Sequence, residues 1–417
     1  MIISTTDGIY VNCGEFPCFN QFVKLRIDDV LFYRQKFGRT VFITKNNEAY
    51  GIGYNKYGGL GGFKNVGTLK KLPVKNVKDV AISERHIVLL THDGDVYGCG
   101  DARYQLGNPY KCKHPGKGYD YKYCNCRYPI KEFVKLKIDN VDFVRCSSKV
   151  TLFVTNDGDV YAYGRGLRTV GLDGVPTYGK IKKLPIQNVT DIILTECATI
   201  YVVNDKFYVY GKLIGKYHGY YSYLIDCPKY FDEDYDHRVL NPREHNKIDI
   251  DVKSCHTSPN GKYVICLTHD GDSYCIGEYS NILYHYDKPY KMDISDVKKV
   301  FVEDRYIIYV TSNGTYMFET YDKDFMFDNS ECMYTIPPTK KLIDLDVLNV
   351  YTNKSNVIFY TTGGFYGFGE NLNGELGLGH YNRVNKITKL RFDKVDMPLQ
   401  QIETSNNRFK KTKSARN

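Results

Sequence analysis

Four side chains that favour zinc lie in one short segment, NPYKCKHPGKGYDYKYCNCR at residues 108–127: Cys112, His114, Cys124 and Cys126. Thiolate and imidazole ligands in fours suit tetrahedral zinc. Cys-x-His and Cys-x-Cys are not the common zinc spacings, so a basic, Tyr-rich loop whose cysteines share no role stands as the alternative. A disulfide among them is a third reading, in an oxidising compartment. No other cofactor is implied. A second segment, residues 212–247, carries Asp232, Glu233, Asp234 and Asp236 beside His237. Carboxylates next to an imidazole can do general acid–base work. No nucleophile or oxyanion motif accompanies them, and acids in a Tyr-rich loop are ordinarily solvated. The chain holds no phosphate-binding glycine loop, catalytic triad or HExxH site, so it is read as a non-enzyme. Tyr is favoured at protein interfaces. The candidate partner contacts are therefore Tyr119, Tyr121 and Tyr123 in the first segment, and Tyr220, Tyr221, Tyr223, Asp232 and Asp234 in the second.

These segments interrupt a repeat. An apolar strand, a tight turn and a strand ending near Tyr-x-x-Gly recur at Ile2, Val41, Ile87, Leu152, Ile200, Val264, Ile307 and Val357. Asp93-Gly94, Asp157-Gly158, Asp270-Gly271 and Asn313-Gly314 fall between the strands, where a type I′ hairpin turn is expected. A second module of two short strands follows each hairpin, as in KKLPVKNVKDVAIS from Lys70 and VKLKIDNVDFVRCS from Val134. Hairpin plus module makes four strands per repeat, with a spacing that suits blades of a β-propeller. The fold class is thus all-β, a propeller of four-stranded blades, eight by repeat count. The chain starts on a hairpin and ends on a module, so a strand near Gln401–Ser405 is expected to complete the first blade and seal the ring, leaving no open edge. Both Tyr-rich segments fall after the Tyr strand, and loops at one point of a repeat emerge on one face. The propeller is assigned residues 1–407 and a basic, disordered tail residues 408–417.

Composition sets outer bounds. The chain has 417 residues and a net charge of +9, which fits an acidic partner without requiring nucleic acid. Nucleic acid remains a possible partner of the basic tail. No apolar run is long enough to span a bilayer, and the first residues lack the pattern of a secretory signal. An intracellular setting, cytoplasmic or nuclear, is expected, with the 13 cysteines mostly reduced. Cys99, Cys266 and Cys275 lie inside strand-like runs, as small buried apolar residues would.

The residues also resemble a known family. GFGENLNGELGLGHYNRV, from Gly367 to Val384, is similar to the repeat of the regulator of chromosome condensation propellers. GYNKYGGLGG from Gly53 and GDARYQLGN from Gly100 are weaker copies, and ISERHIVLLTHDG from Ile82 resembles the family's second motif, with His86 in its usual place. The resemblance implies seven blades, against the eight counted. It implies partner binding, since the family includes an exchange factor for a small nuclear GTPase and scaffolds in ubiquitin ligases and cilia. Exchange on a small GTPase and chromatin or nucleic-acid binding are the alternatives to a protein-interaction scaffold. The repeat's Gly and Leu residues are structural, so no exchange site carries over.

Overall fold

The computed structural model describes residues 2–5, 8–11, 22–62, 64–100, 106, 130–164, 170, 181–194, 198–203, 206–211, 251–257, 263–277, 290–303, 306–319, 340–343, 347–352, 356–372 and 374–390. They form eight antiparallel sheets in chain order, six of four strands and two of three. The third sheet shows the plan: Val77–Ile82 innermost, then His86–Thr91, Val96–Gly100 and Ile130–Lys135. The second strand, HIVLLT, is buried along its whole length. Apolar and β-branched residues on both faces are what a strand covered on both sides needs. The third strand places Gly98 where Leu106 packs, since a Cβ there would lie 2.7 Å from a Leu106 methyl.

Each pair of consecutive sheets shares one apolar cluster. Ile43 packs with Ile87, Val88 with Phe153, Leu152 with Tyr201, and Ile200 with Val264. Ile265 then packs with Ile307 and Ile308 with Phe359. Ile358 of the last sheet shares a cluster with Tyr10 and Phe22 of the first, and Ile9 of the first shares one with Phe42 of the second. The sheets therefore form a closed ring. Burying a single Leu or Ile side chain contributes about 1.5–3 kcal/mol, so the ring is held chiefly by these contacts.

Seven sheets share one device. Their inner strands begin with Val30, Val77, Val141, Val189, Val252, Val297 or Val347, and each has a β-bulge just after that valine. The first sheet, made of Ile2–Thr5, Gly8–Val11 and Val23–Lys24, has no inner strand among the described residues. The repeat count of eight is thus the number of sheets, and seven, the family's number, is the number with a complete inner-strand pattern. The hairpins at Ile2 and Ile307 both form sheets. Where both strands of a module are described, the first ends one sheet and the second opens the next, so a module is shared between sheets. The expected closing strand at Gln401–Ser405 and the tail at 408–417 lie outside the described residues.

The turns differ from the expectation. A type I′ turn needs positive φ at both central residues. Gly94, Gly158 and Gly271 have φ of 79°, 75° and 82°, whereas Asp93, Asp157 and Asp270 are not among the positive-φ residues. The N–H of Gly94 reaches the carbonyl of Thr91 at 3.1 Å, so the left-handed glycine follows a β-turn in place of sitting inside a type I′ pair. The glycine has a second task. A Cβ at Gly158 would lie 2.9 Å from the Asn188 main chain, where the next sheet begins. The Asp-Gly signal therefore marks a docking point between sheets as well as a turn.

Candidate interaction surfaces

The long segments that interrupt the repeat leave the ring at one end. Residues 101–129 follow the third strand Val96–Gly100, and residues 212–250 follow the third strand Lys206–Gly211. Residues 278–289 and 320–339 follow Ser273–Gly277 and Gly314–Glu319 in the same way. Third strands of successive sheets run in the same direction, so all four segments start on one face. Cys112, His114, Cys124, Cys126, Tyr119, Tyr121 and Tyr123 lie in the first of them. Tyr220, Tyr221, Tyr223, Asp232 and Asp234 lie in the second. All these residues are outside the described part of the chain.

His86 sits at this end of the ring as a buried staple. Its Nδ1 lies 2.7 Å from Ser83 Oγ, and its Nε2 lies 2.8 Å from Thr151 Oγ1 on the next sheet. The side chain is fully buried, and burial, with the Arg39 guanidinium nearby, pushes its pKa down to about 3. A Ser–His pair at such a distance can activate a nucleophile. Here the imidazole cannot take up a proton near neutral pH, and both its nitrogens face hydroxyls. Arg39 occupies the equivalent place one sheet earlier and donates from Nη2 to the Glu84 carbonyl. Burial lowers its pKa, and its Nε and Nη1 have no partner among the described residues.

The Leu-Gly loops are also structural. Asn55 and Asn371 are both fully buried, and each accepts the N–H of a buried leucine at 2.8 Å, Leu60 and Leu376 respectively. The identical geometry explains why Asn and Leu recur at that spacing. Cys99, Cys266 and Cys275 are buried packing residues as expected. Burial raises the thiol of Cys99 to about 11 and that of Cys275 to about 12. The Cys266 thiol is raised first by its contact with Cys255, whose Sγ lies 3.1 Å away.

The central channel carries an arrangement that motif reading missed. Every inner strand has a ladder partner on one side only, so its free edge faces the ring axis. Arg34, Asp79, Arg145 and Asp191 sit on four consecutive inner strands. Arg34 Nη2 lies 3.8 Å from Asp79 Oδ1, Arg145 Nη1 lies 3.4 Å from Asp79 Oδ2, and Arg145 Nη2 lies 2.8 Å from Asp191 Oδ1. The Arg145 guanidinium stacks 4.8 Å from the Phe143 ring centroid. Planar guanidinium groups suit such alternation because they can bridge two carboxylates. The signal was hidden because Asp79 and Arg145 are 66 residues apart. A second series marks the outer rim. Lys71 pairs with Glu48, Lys135 with Asp95 at 2.7 Å, Lys183 with Asp159 at 2.5 Å and Lys291 with Asp272 at 2.6 Å.

Among the described residues no helix is long and apolar enough to cross a membrane. No family model matches the chain, and no curated protein matches it. Its fold is that of the regulator-of-chromosome-condensation-like propellers. The chain is similar in structure to human WBSCR16, at 17% identity and a TM-score of 0.50, over 89% of this chain and 85% of that one. Yeast RCC1 (Prp20) bound to Kap60 aligns at 15% identity and a TM-score of 0.49, over 91% and 83%. Prp20p from Saccharomyces cerevisiae, whose binding to Gsp1p and histones has been described, aligns at 13% and 0.47, over 92% and 86%.

Proposed function

We propose that this chain is a non-catalytic scaffold that binds another protein through the face from which its long segments leave. The observation that supports this reading is the common departure point of residues 101–129 and 212–250, each at the end of a third strand. Variable segments held by a rigid ring are where binding residues concentrate. Tyr119, Tyr121, Tyr123, Tyr220, Tyr221, Tyr223, Asp232 and Asp234 are the proposed contacts. The ring itself supplies position. Its two Ser–His pairs among the described residues, Ser83–His86 and Ser254–His256, both have an imidazole whose pKa burial lowers, and Arg34, Asp79, Arg145 and Asp191 pair with one another in the channel.

Replacing residues 108–127 and 212–247 by short Gly-Ser linkers tests the reading. Partners captured by the full chain should be lost while the ring still melts at the same temperature. Retention of every partner would refute it. A small GTPase is one candidate partner, and the exchange-factor alternative differs in predicting accelerated guanine-nucleotide release. Zinc at Cys112, His114, Cys124 and Cys126 is a separate proposal. Metal analysis should find one zinc per chain if that set is a site.

A further inference from the structure

Each described inner strand faces its second strand at one recurring pair of side chains. In the second to fifth sheets that pair is Tyr33–Phe42, Val80–Leu89, Val144–Phe153 and Ile192–Tyr201. In the seventh and eighth it is Val300–Tyr309 and Val350–Phe359. In the sixth sheet it is Cys255–Cys266. Cysteine packs as a small apolar residue, smaller than any member of the other pairs. Val80, Val144, Ile192, Val300 and Val350 are buried, whereas Cys255 is partly exposed. The two thiols seal the gap between sheets less well than the repeat asks, so packing does not account for them.

The thiols touch, with Cys255 Sγ 3.1 Å from Cys266 Sγ. We propose that Cys255 and Cys266 form a redox modification site, a dithiol that closes to a cross-strand disulfide when a low-molecular-weight disulfide reaches Cys255.

The backbone register suits that bond. In the third sheet the Ser83 N–H donates to the His86 carbonyl at 3.0 Å, so that pair is hydrogen-bonded. Antiparallel pairs alternate between bonded and non-bonded. Counting back through Ile82–Ile87 and Ala81–Val88 makes Val80–Leu89 a non-bonded pair. The Val80 N–H accordingly donates to Asp79 Oδ1 at 2.8 Å. Cys255–Cys266 holds the same place in its ladder, with the bulge just before it. Facing residues of a non-bonded pair have Cα atoms about 4.5 Å apart. That lies within the range of about 4.4–6.8 Å that a disulfide spans. Zinc suits the pair less well. Two thiolates on one tetrahedral zinc, each at about 2.3 Å, stand about 3.8 Å apart. Among the described residues no group of three or more potential metal ligands gathers.

A third cysteine in the sheet makes the site specific. Cys275 lies opposite Ile265 on the third strand. Cys266 packs with Ile200 and Phe207 of the fifth sheet, and Cys255 packs against the same cluster. Cys275 packs with Ile307 on the side of the seventh sheet. The backbone of the sixth sheet thus lies between Cys275 and the touching pair.

The order of the chemistry follows from exposure. Contact with Cys255, then burial, raises the Cys266 thiol well above its ordinary value, so exchange starts at the exposed partner. The thiolate of Cys255 attacks one sulfur of the small disulfide and expels the other as a thiolate. The sulfur of Cys266 then gives up its proton and attacks Cys255 Sγ, expelling the second small thiolate. Two protein S–H bonds and one S–S bond break, and one protein S–S bond and two S–H bonds on the released thiols form. The protein loses two electrons, and the small disulfide gains them.

The test uses the full chain with glutathione disulfide as the probe. The native protein is exposed to it, quenched in acid, alkylated and mapped by peptide mass spectrometry. A 255–266 link that dithiothreitol reverses should form, with Cys275 left free. In Cys266→Ser the second step is blocked, so glutathione should remain on Cys255 as a stable mixed disulfide. In Cys275→Ala the 255–266 link should form as before. An unmodified Cys255 in the native chain, a glutathione adduct that persists there with Cys266 present, or a link from either thiol to Cys275 would overturn the proposal.

Discussion

Nε2 of His86 lies 2.8 Å from Thr151 Oγ1, so an imidazole on the third sheet is anchored to a hydroxyl on the fourth. The residue that most resembles the family's second motif is thus a strut between sheets. Its pH behaviour follows from its burial. The folded pKa is about 3, below the ordinary imidazole value of 6.5. The folded ring therefore binds fewer protons than the unfolded chain, and stability rises with pH in that window. The contribution is complete above about pH 6.5 and fades as pH falls towards 3. Melting curves from pH 7 to 4 should show His86→Asn losing less stability on acidification than the parent does. Equal slopes would mean the imidazole is not held neutral.

The arc in the channel should stabilise only modestly. Arg145 and Asp191 are 34% and 51% exposed, and exposed ion pairs contribute about 0–1 kcal/mol. A double-mutant cycle with Arg145→Ala and Asp191→Ala should give a coupling below about 1 kcal/mol that shrinks in 1 M salt. A coupling that persists at high salt would show the pair to be more desolvated than its exposure implies.

Leu60 and Leu376 are fully buried under the Asn-capped loops. Leu60→Ala and Leu376→Ala should each cost about 2–5 kcal/mol in denaturant unfolding. Gly377 has φ of 65°, and a Cβ there would lie 2.6 Å from Phe22 of the first sheet. Gly377→Ala should therefore destabilise the joint between the last sheet and the first, read as a lower melting temperature.

The buried thiols make a fourth test. Cys99 and Cys275, with pKa values raised to about 11 and 12, carry little thiolate at pH 8. An aromatic disulfide reagent should modify them only on unfolding, with the labelled peptides identified by mass spectrometry. Rapid labelling in the native ring would contradict their burial.

The frame was legible because its signals are local. An apolar run such as HIVLLT and a glycine at a turn each act through neighbours in the chain. What escaped was set by closure of the ring. The partner of Asp79 is 66 residues away, and nothing in VKDVAI announces it. The Asp93-Gly94 pair was readable as a turn, but its contact with the next sheet decides the backbone conformation. The closing strand was legible as a need. The residues expected to form it, Gln401–Ser405, lie outside the described part of the chain. The candidate contacts Tyr119–Tyr123 and Tyr220–Asp234 rest on composition and position in the repeat, and the described strands establish only where their segments begin.

The central claim is that the ring is a holder and its interrupting segments are the binding part. The most direct measurement compares partner capture by the full chain with capture by the chain carrying linkers in place of residues 108–127 and 212–247, alongside melting of both. The account predicts loss of the captured partners with an unchanged melting temperature. Undiminished capture by the trimmed ring would contradict it.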